Sequence, residues 1–197
     1  MMLSPVGLIS IHCAVLAGLV LCSSSAEAAE AVVIDFEQVP IMLDPTNDEA
    51  VNRLEQYVDQ GVEFKLARPP ERSKGAGKIM FFPHIASGRK GILNAMADEQ
   101  RIPVQVRFPQ GASAVTIVFW ASTGTSARLE AFNSNGEVVA RDELQVVPGR
   151  EKPEDPVPTF ELQVKADEIS FVQFSGPRTG EYLAADEVRF VPLDTEH

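Results

Sequence analysis

Three short segments that nearly alternate apolar with acidic residues constrain the fold more than any other feature of the chain. They are Ile34-Asp35-Phe36-Glu37, Tyr57 to Phe64, and Ala185 to Phe190. Such alternation places one face of a segment in a core and its carboxylates on the other face, which is the pattern of a half-buried β-strand. Strands of this kind near the beginning and the end of the chain predict an all-β sandwich closed by its own first and last strands.

The rest of the chain repeats the strand pattern with turns between. Thr46-Asn47-Asp48-Glu49 has capping-box spacing and predicts one short helix after the first strand. Asn135-Gly136 predicts a hairpin turn. Between Phe171 and Val172 the apolar phase slips by one residue, which predicts either a β-bulge or a strand buried on both faces. The predicted fold class is a jelly-roll β-sandwich of about nine or ten strands. The predicted strands span 32–36, 62–66, 79–82, 104–108, 114–121, 128–132, 137–141, 159–164, 169–174 and 186–191.

The first 28 residues have the composition of an export signal. Val6 to Leu21 is almost wholly apolar, and small residues up to Ala28 offer a cleavage site. Because no Lys or Arg precedes the apolar run, an uncleaved anchor is the alternative. Cys22 suggests a lipoprotein, although Leu21 is bulky for such a site. We therefore expect a signal peptide at 1–28 and one domain at 29–197 that is periplasmic, cell-surface or secreted, without a stable membrane span after cleavage.

The net charge of −11 argues against nucleic acid as the main partner, because like charge repels phosphate. Basic residues are nevertheless concentrated between Lys65 and Lys90. This stretch predicts contact with an anionic polysaccharide, a lipid headgroup or an acidic partner. The alternative is a solvated loop whose cations lie near the protein's own acids. The predicted ligand-binding residues are Arg72, Lys74, Lys78, Arg89 and Lys90.

The residue types needed for catalysis are scarce. His84 is the one histidine between the predicted signal and the last residue, so a histidine base or a zinc site has little to build with. A glycosidase needs only two carboxylates, but nothing in the sequence singles out a pair. Trp120 lies in a segment that is apolar in both phases, which favours a core position over a sugar platform. We therefore predict that the protein is not an enzyme.

The alternating segments also carry a family resemblance. Asp35-Phe36-Glu37, the phrase Tyr57-x-x-x-Gly61-Val62-x-Phe64, the hairpin Asn133 to Gly136, and Ala185 to Phe190 resemble exported bacterial jelly-roll domains. These domains are similar to galactose-binding-like and carbohydrate-binding-module sandwiches. The resemblance covers most of residues 32–192 and implies a structural calcium ion where the first and last strands meet. Asp35, Glu37 and Asp186 would supply its oxygen ligands; the alternative is that they simply face solvent.

Together these observations predict an exported, non-catalytic and monomeric binding or adhesion domain, with an extracellular glycan as the leading ligand class. A structural protein, or one that binds an acidic surface partner through its basic loop, is the first alternative. A glycoside or ester hydrolase is the second.

Overall fold

A computed structural model describes residues 30–37, 53–68, 79–83, 90–94, 102–121, 126–152, 154–175 and 183–193. These residues form nine antiparallel strands and one 3-10 helix, Arg53–Gln60, which lies between the first two strands. The predicted all-β sandwich with one short helix after its first strand is thus confirmed. The predicted signal peptide and the capping-box segment at Thr46 lie outside the described residues. The strands are β1 Val32–Asp35, β2 Glu63–Leu66, β3 Ile79–Pro83, β4 Lys90–Asn94, β5 Val104–Ala121, β6 Ala127–Phe132, β7 Val138–Leu144, β8 Thr159–Ser175 and β9 Leu183–Pro192.

Two long strands, β5 and β8, run through both layers of the sandwich. Residues 104–107 of β5 pair with β2 on one side and with residues 171–174 of β8 on the other. Residues 114–121 of β5 pair instead with β9 and with residues 159–165 of β8. The front sheet therefore has the order β2, β5, β8, β6, β7. The back sheet contains β8, β5 and β9, with β1 and the β3–β4 hairpin along the far edge of β9.

Each long strand replaces two strands that the sequence predicts as separate. The prediction of a break between Phe108 and Ala114 was wrong, and so was the break before Ile169. Gly111 has φ +77°, a backbone conformation that glycine adopts without a steric penalty. The Leu193 amide donates a hydrogen bond to the Gly111 carbonyl at 3.3 Å. The chain therefore bends through a bulge at this point and continues as one strand.

The core lies between the two sheets and contains aromatic contacts that cross from one to the other. The rings of Phe119 in the back sheet and Phe174 in the front sheet have centroids 5.1 Å apart. Burying one such side chain contributes about 1.5–3 kcal/mol. These facing contacts hold the bent sheet closed as a sandwich.

The 3-10 helix closes one end of this core. The rings of Phe36, Tyr57 and Phe64 meet edge to face, with centroids 5.6 to 5.7 Å apart. The Tyr57 hydroxyl donates to the Asp35 carbonyl at 3.2 Å, and Gly61, with φ +85°, turns the chain into β2. The resemblance phrase that begins at Tyr57 is thus a helix end, a glycine turn and a strand, so its predicted alternation from Tyr57 holds only in β2.

One further difference from the sequence concerns β4, which the pattern of residues 84–100 does not predict. Its five residues include Gly91 and show no alternation. No helix among the described residues has both the length and the apolar character that a membrane crossing requires.

Candidate functional site

The solvent side of the front sheet carries polar and aromatic side chains. Val104, Val106, Val172, Phe174 and Leu129 point into the core. The residues that alternate with them point outward, because successive side chains of a strand face opposite sides. We call this surface the front face. It consists of Glu63, Lys65, Gln105, Arg107, Arg128, Glu130, Phe132, Arg141, Glu143, Phe171 and Gln173.

A row of planar polar groups crosses the front face. Its members are paired with each other across four neighbouring strands: Gln105 on β5, Gln173 on β8, Glu130 on β6 and Arg141 on β7. The Gln173 Nε2 donates to the Gln105 Oε1 at 3.1 Å, and the residue Gln105 is only 7% exposed. The row therefore presents amide, carboxylate and guanidinium groups that are already ordered by contacts with each other.

Glu130 is shared by two arginines. Arg141 Nη2 lies 2.5 Å from its Oε1, and Arg128 Nε lies 3.4 Å from its Oε2. The Glu130 side chain is 16% exposed, whereas Arg128 and Arg141 are 49% and 50% exposed. Solvent therefore meets the two guanidinium groups much more than the carboxylate between them.

A pair of stacked rings lies beside the polar row. Phe132 on β6 and Phe171 on β8 are directly opposite each other, and their rings are 4.7 Å apart and 9° from parallel. Both side chains are half-buried. Phe171 faces outward while Ile169 and Val172 are buried in the core. The predicted slip between inward-facing and outward-facing residues of β8 thus lies near the shift in strand pairing at which Ile169 is opposite Ala112.

The solvent side of the back sheet, which we call the back face, has a different character. Arg189 Nη1 contacts Glu161 Oε1 at 3.0 Å, and Arg189 Nε donates to Glu187. The hydrogen bond that Arg189 donates to Glu187 raises the pKa of the Arg189 guanidinium above its ordinary value, with a smaller contribution from Glu161. Gln163 Nε2 donates to Thr116 Oγ1 at 2.8 Å. This face is therefore also polar and internally hydrogen-bonded.

Trp120 is fully buried, as the sequence predicts. The Trp120 side chain does not lie between the sheets. Its chain neighbours Phe119 and Ala121 point into the core between the sheets, and the side chain between them points to the opposite side of the strand. Instead it packs on the outer side of the back sheet against Val157 and Ala184. The segment that precedes β8 covers it, so Trp120 is a packing residue and offers no surface to a ligand.

The predicted metal ligands occupy the closing seam, where β1 pairs with β9. Asp35 and Glu37 are exposed, and Asp186 is 1% exposed. Asp186 is the extra residue of a bulge in β9, since Val118 pairs with Glu187 and Phe119 with Ala185. Within the described ranges, no group of three or more His, Cys, Asp or Glu side chains is placed to hold a metal ion. The calcium site stays a prediction.

The predicted basic site is described at one residue. The backbone amide of Lys90 donates to Glu37 Oε1 at 2.9 Å, and its Nζ donates to the Glu37 carbonyl. These two contacts attach Lys90 to Glu37 through a backbone amide and a backbone carbonyl, and the predicted basic binding site stays a prediction. The other four predicted residues, Arg72, Lys74, Lys78 and Arg89, lie outside the described residues.

The front face is a site that the sequence pattern does not indicate. The available signals were two outward aromatic residues, Phe171 at the phase slip and Phe132 just before the predicted hairpin turn. Recognising them requires knowledge of which strands are neighbours, and the sequence pattern alone does not supply it.

Comparison with known proteins gives structural neighbours only. No protein-family model and no curated protein matches the chain. It is similar to the K1 cleaved adhesin domain of Lys-gingipain from Porphyromonas gingivalis W83, with 12% identity, a TM-score of 0.45, and coverage of 82% of this chain and 98% of that one. It is also similar to CpGH89CBM32-6 from Clostridium perfringens, with 12% identity, a TM-score of 0.38, and coverage of 69% and 97%.

A third neighbour is CsCBM6-3 from Clostridium stercorarium, solved in complex with cellobiose, with 11% identity, a TM-score of 0.34, and coverage of 66% and 93%. Carbohydrate-binding modules are one of the kinds of domain that the sequence resemblance names. Since every one of these TM-scores is below 0.5, the likeness decides nothing about the ligand. The fold stands on the strand pairing, and the site stands on the front face.

Proposed function

We propose that this protein is a non-catalytic glycan-binding domain whose ligand lies on the front face. The observation that carries the proposal is the stacked pair Phe132 and Phe171 beside a hydrogen-bonded row of planar polar side chains. Sugars have apolar C–H faces that pack on aromatic rings and hydroxyl groups that need both donors and acceptors. Amide, carboxylate and guanidinium groups provide both.

The chemistry of this face supports binding rather than bond cleavage. Glycoside hydrolysis needs one carboxyl group that can give up a proton and a second one across the scissile bond. Glu130 Oε1 contacts Arg141 and its Oε2 contacts Arg128, so both carboxylate oxygens are engaged by the protein's own guanidinium groups. We therefore assign Glu130 to organising the arginines.

The position of the site also supports ligand binding by ordered groups. Three of the four residues of the polar row lie on β5, β8 and β6, which are inner strands of the front sheet with hydrogen-bonded neighbours on both sides; the fourth, Arg141, lies on the edge strand β7. Side chains fixed on such strands lose little conformational entropy when a ligand binds.

We propose further that the domain acts outside the cytoplasm as a monomer.

Two glutamines of β8 provide a matched test. Gln173 lies on the front face and Gln163 on the back face, and each donates its amide to a side chain of β5. We expect Gln173→Ala to weaken glycan binding about tenfold, which corresponds to about 1.4 kcal/mol. Gln163→Ala should leave the affinity within about twofold, because its surroundings lie on the other sheet.

The measurement is a glycan array followed by isothermal titration with the strongest ligand, on both variants and the unmodified protein. Equal melting temperatures of the two variants ensure that a lost affinity is not lost folding. Equal affinity losses in both variants, or unchanged binding in Gln173→Ala, would refute the front face as the site. An array without any bound glycan would refute the proposed function.

A further inference from the structure

We infer that the preferred ligand is an anionic glycan containing uronic acid, and that Arg128 and Arg141 together bind its carboxylate. This inference rests on the proposed function and names the ligand class of the same face. It comes from the way in which three side chains of the β6–β7 hairpin share their charges.

Two cations and one anion meet at Glu130. The carboxylate is largely covered at 16% exposure, while both guanidinium groups remain about half exposed. Each guanidinium has five N–H donors, and the contacts to Glu130 use one nitrogen of each. The remaining donors can reach a ligand, so the cluster presents a net positive charge with hydrogen-bond donors facing solvent.

The charges of the two outer faces favour the same ligand. Among the described residues, the front face has four cations against three carboxylates, and the back face has two cations against three. The front-face charges are Lys65, Arg107, Arg128 and Arg141 with Glu63, Glu130 and Glu143; the back-face charges are Lys165 and Arg189 with Asp35, Glu161 and Glu187. The whole chain carries a net charge of −11. A positive face on an acidic protein is the surface to which an anionic polymer is drawn.

A carboxylate suits the chemistry and geometry of this cluster. Arginine matches the planar carboxylate with two parallel hydrogen bonds, and such charge-assisted pairs are stronger than neutral ones. Glu130 already holds Arg141 at 2.5 Å, so part of the ordering that binding requires is done before the ligand arrives. Glu130 is thus a positioning residue, and the arginines make the contact.

The experiment compares polygalacturonate with the same polymer after reduction of its carboxyl groups to alcohols. By isothermal titration, the unmodified protein should bind the acidic polymer at least about tenfold more tightly, since one charge-assisted contact is worth about that ratio. Arg141→Gln and Arg128→Gln should each bring the ratio towards about one. Arg141→Lys, which keeps the charge but not the fork, should give an intermediate ratio.

Lys165→Gln is the matched control, because it removes one exposed cation from the back face. Its ratio should equal that of the unmodified protein. A Lys165→Gln loss equal to that of Arg141→Gln, or sulfated dextran bound as tightly as polygalacturonate, would mean general ion exchange and overturn the inference. Melting temperatures identify any variant that fails to fold. If one of the two arginine-to-glutamine variants fails to fold, the ratio measured for the other one decides the test.

Failure of this inference can be told apart from failure of the proposed function. If both polymers bind equally and Gln173→Ala weakens both, the anionic class is overturned while the front face remains the glycan site. If neither polymer nor any array glycan binds, both are overturned.

Discussion

Gly91 is a position at which a single added methyl group should separate one hairpin from the sandwich. A Cβ atom at Gly91 would lie 2.7 Å from the Ala185 carbonyl oxygen and 3.0 Å from Trp120 Nε1. The first distance is about 0.7 Å shorter than the 3.4 Å at which ordinary contact begins. The Ala185 carbonyl belongs to the backbone of an inner strand, β9, and the Trp120 side chain is fully buried. Neither can move away easily, so β4 itself must shift.

The expected cost follows from this geometry. Overpacking of this kind costs about 1–3 kcal/mol. Replacing glycine by alanine restricts the unfolded chain and returns about 0.4–1 kcal/mol, because Gly91 has no positive φ that alanine would find strained. From the middle of each range, we therefore expect Gly91→Ala to lower the free energy of unfolding by about 1.3 kcal/mol. Since the pair Ile92–Ala185 joins β4 to β9, the damage should be concentrated in β3 and β4.

Urea unfolding and amide hydrogen exchange measure the size and the place of this effect. Gly136→Ala is the control, because nothing lies within 4 Å of its added Cβ although φ is +80°. Its cost, about 1–2 kcal/mol from backbone strain alone, should appear in the β6–β7 turn. Gly91→Ala should instead accelerate exchange in β3 and β4 while β5 and β8 keep their protection. An unchanged stability, or exchange accelerated evenly over the sandwich, would show that the close approach at Gly91 does not constrain β4.

Two further predictions concern residues that the sequence analysis singled out. Trp120 is the single tryptophan of the chain and is fully buried away from the front face. Its fluorescence emission should therefore stay at the same wavelength when the glycan saturates the protein. A clear shift of the emission wavelength on binding would place the ligand near the back sheet. A structural calcium ion at Asp35, Glu37 and Asp186 requires the melting temperature to fall when a chelator is added, and to be insensitive to chelator in Glu37→Gln. An unmodified protein that melts at the same temperature with and without chelator would refute the calcium site.

Most of the fold follows from local patterns in the sequence. The alternation in Ile34 to Glu37 and in Ala185 to Phe190 predicts two half-buried strands, and these pair in the structure so that Asp35 lies opposite Glu187. The Asn135-Gly136 turn predicts a hairpin, and that hairpin places Glu130 opposite Arg141. β4 was not predictable, because five residues without alternation give no signal, and its place depends on pairing with β3 and on a close approach to β9.

The candidate site was harder to predict for a physical reason. The pairing of Phe132 with Phe171 joins residues that are far apart in the sequence, and no local pattern encodes such a contact. The charge pattern drew attention to the stretch from Lys65 to Lys90, because clustered cations are visible in a sequence. The cations of the front face are spread over β2, β5, β6 and β7, and only the strand order brings them onto one surface.

The bend of β5 links the fold to the site. In its front part Val104 and Val106 face the core, and in its back part Val115, Ile117 and Phe119 do so. The inward residues change from even to odd numbers across the register shifts at Ala112 and Ala114. Without this extra residue, the inward-facing positions would have either even or odd numbers along the whole strand. This is because a slip of one residue turns every side chain to the opposite face. If the back part kept its packing, Gln105 and Arg107 would then enter the core. The bulge that folds the sheet into a sandwich is therefore also what keeps the polar row on the outer side of the front sheet.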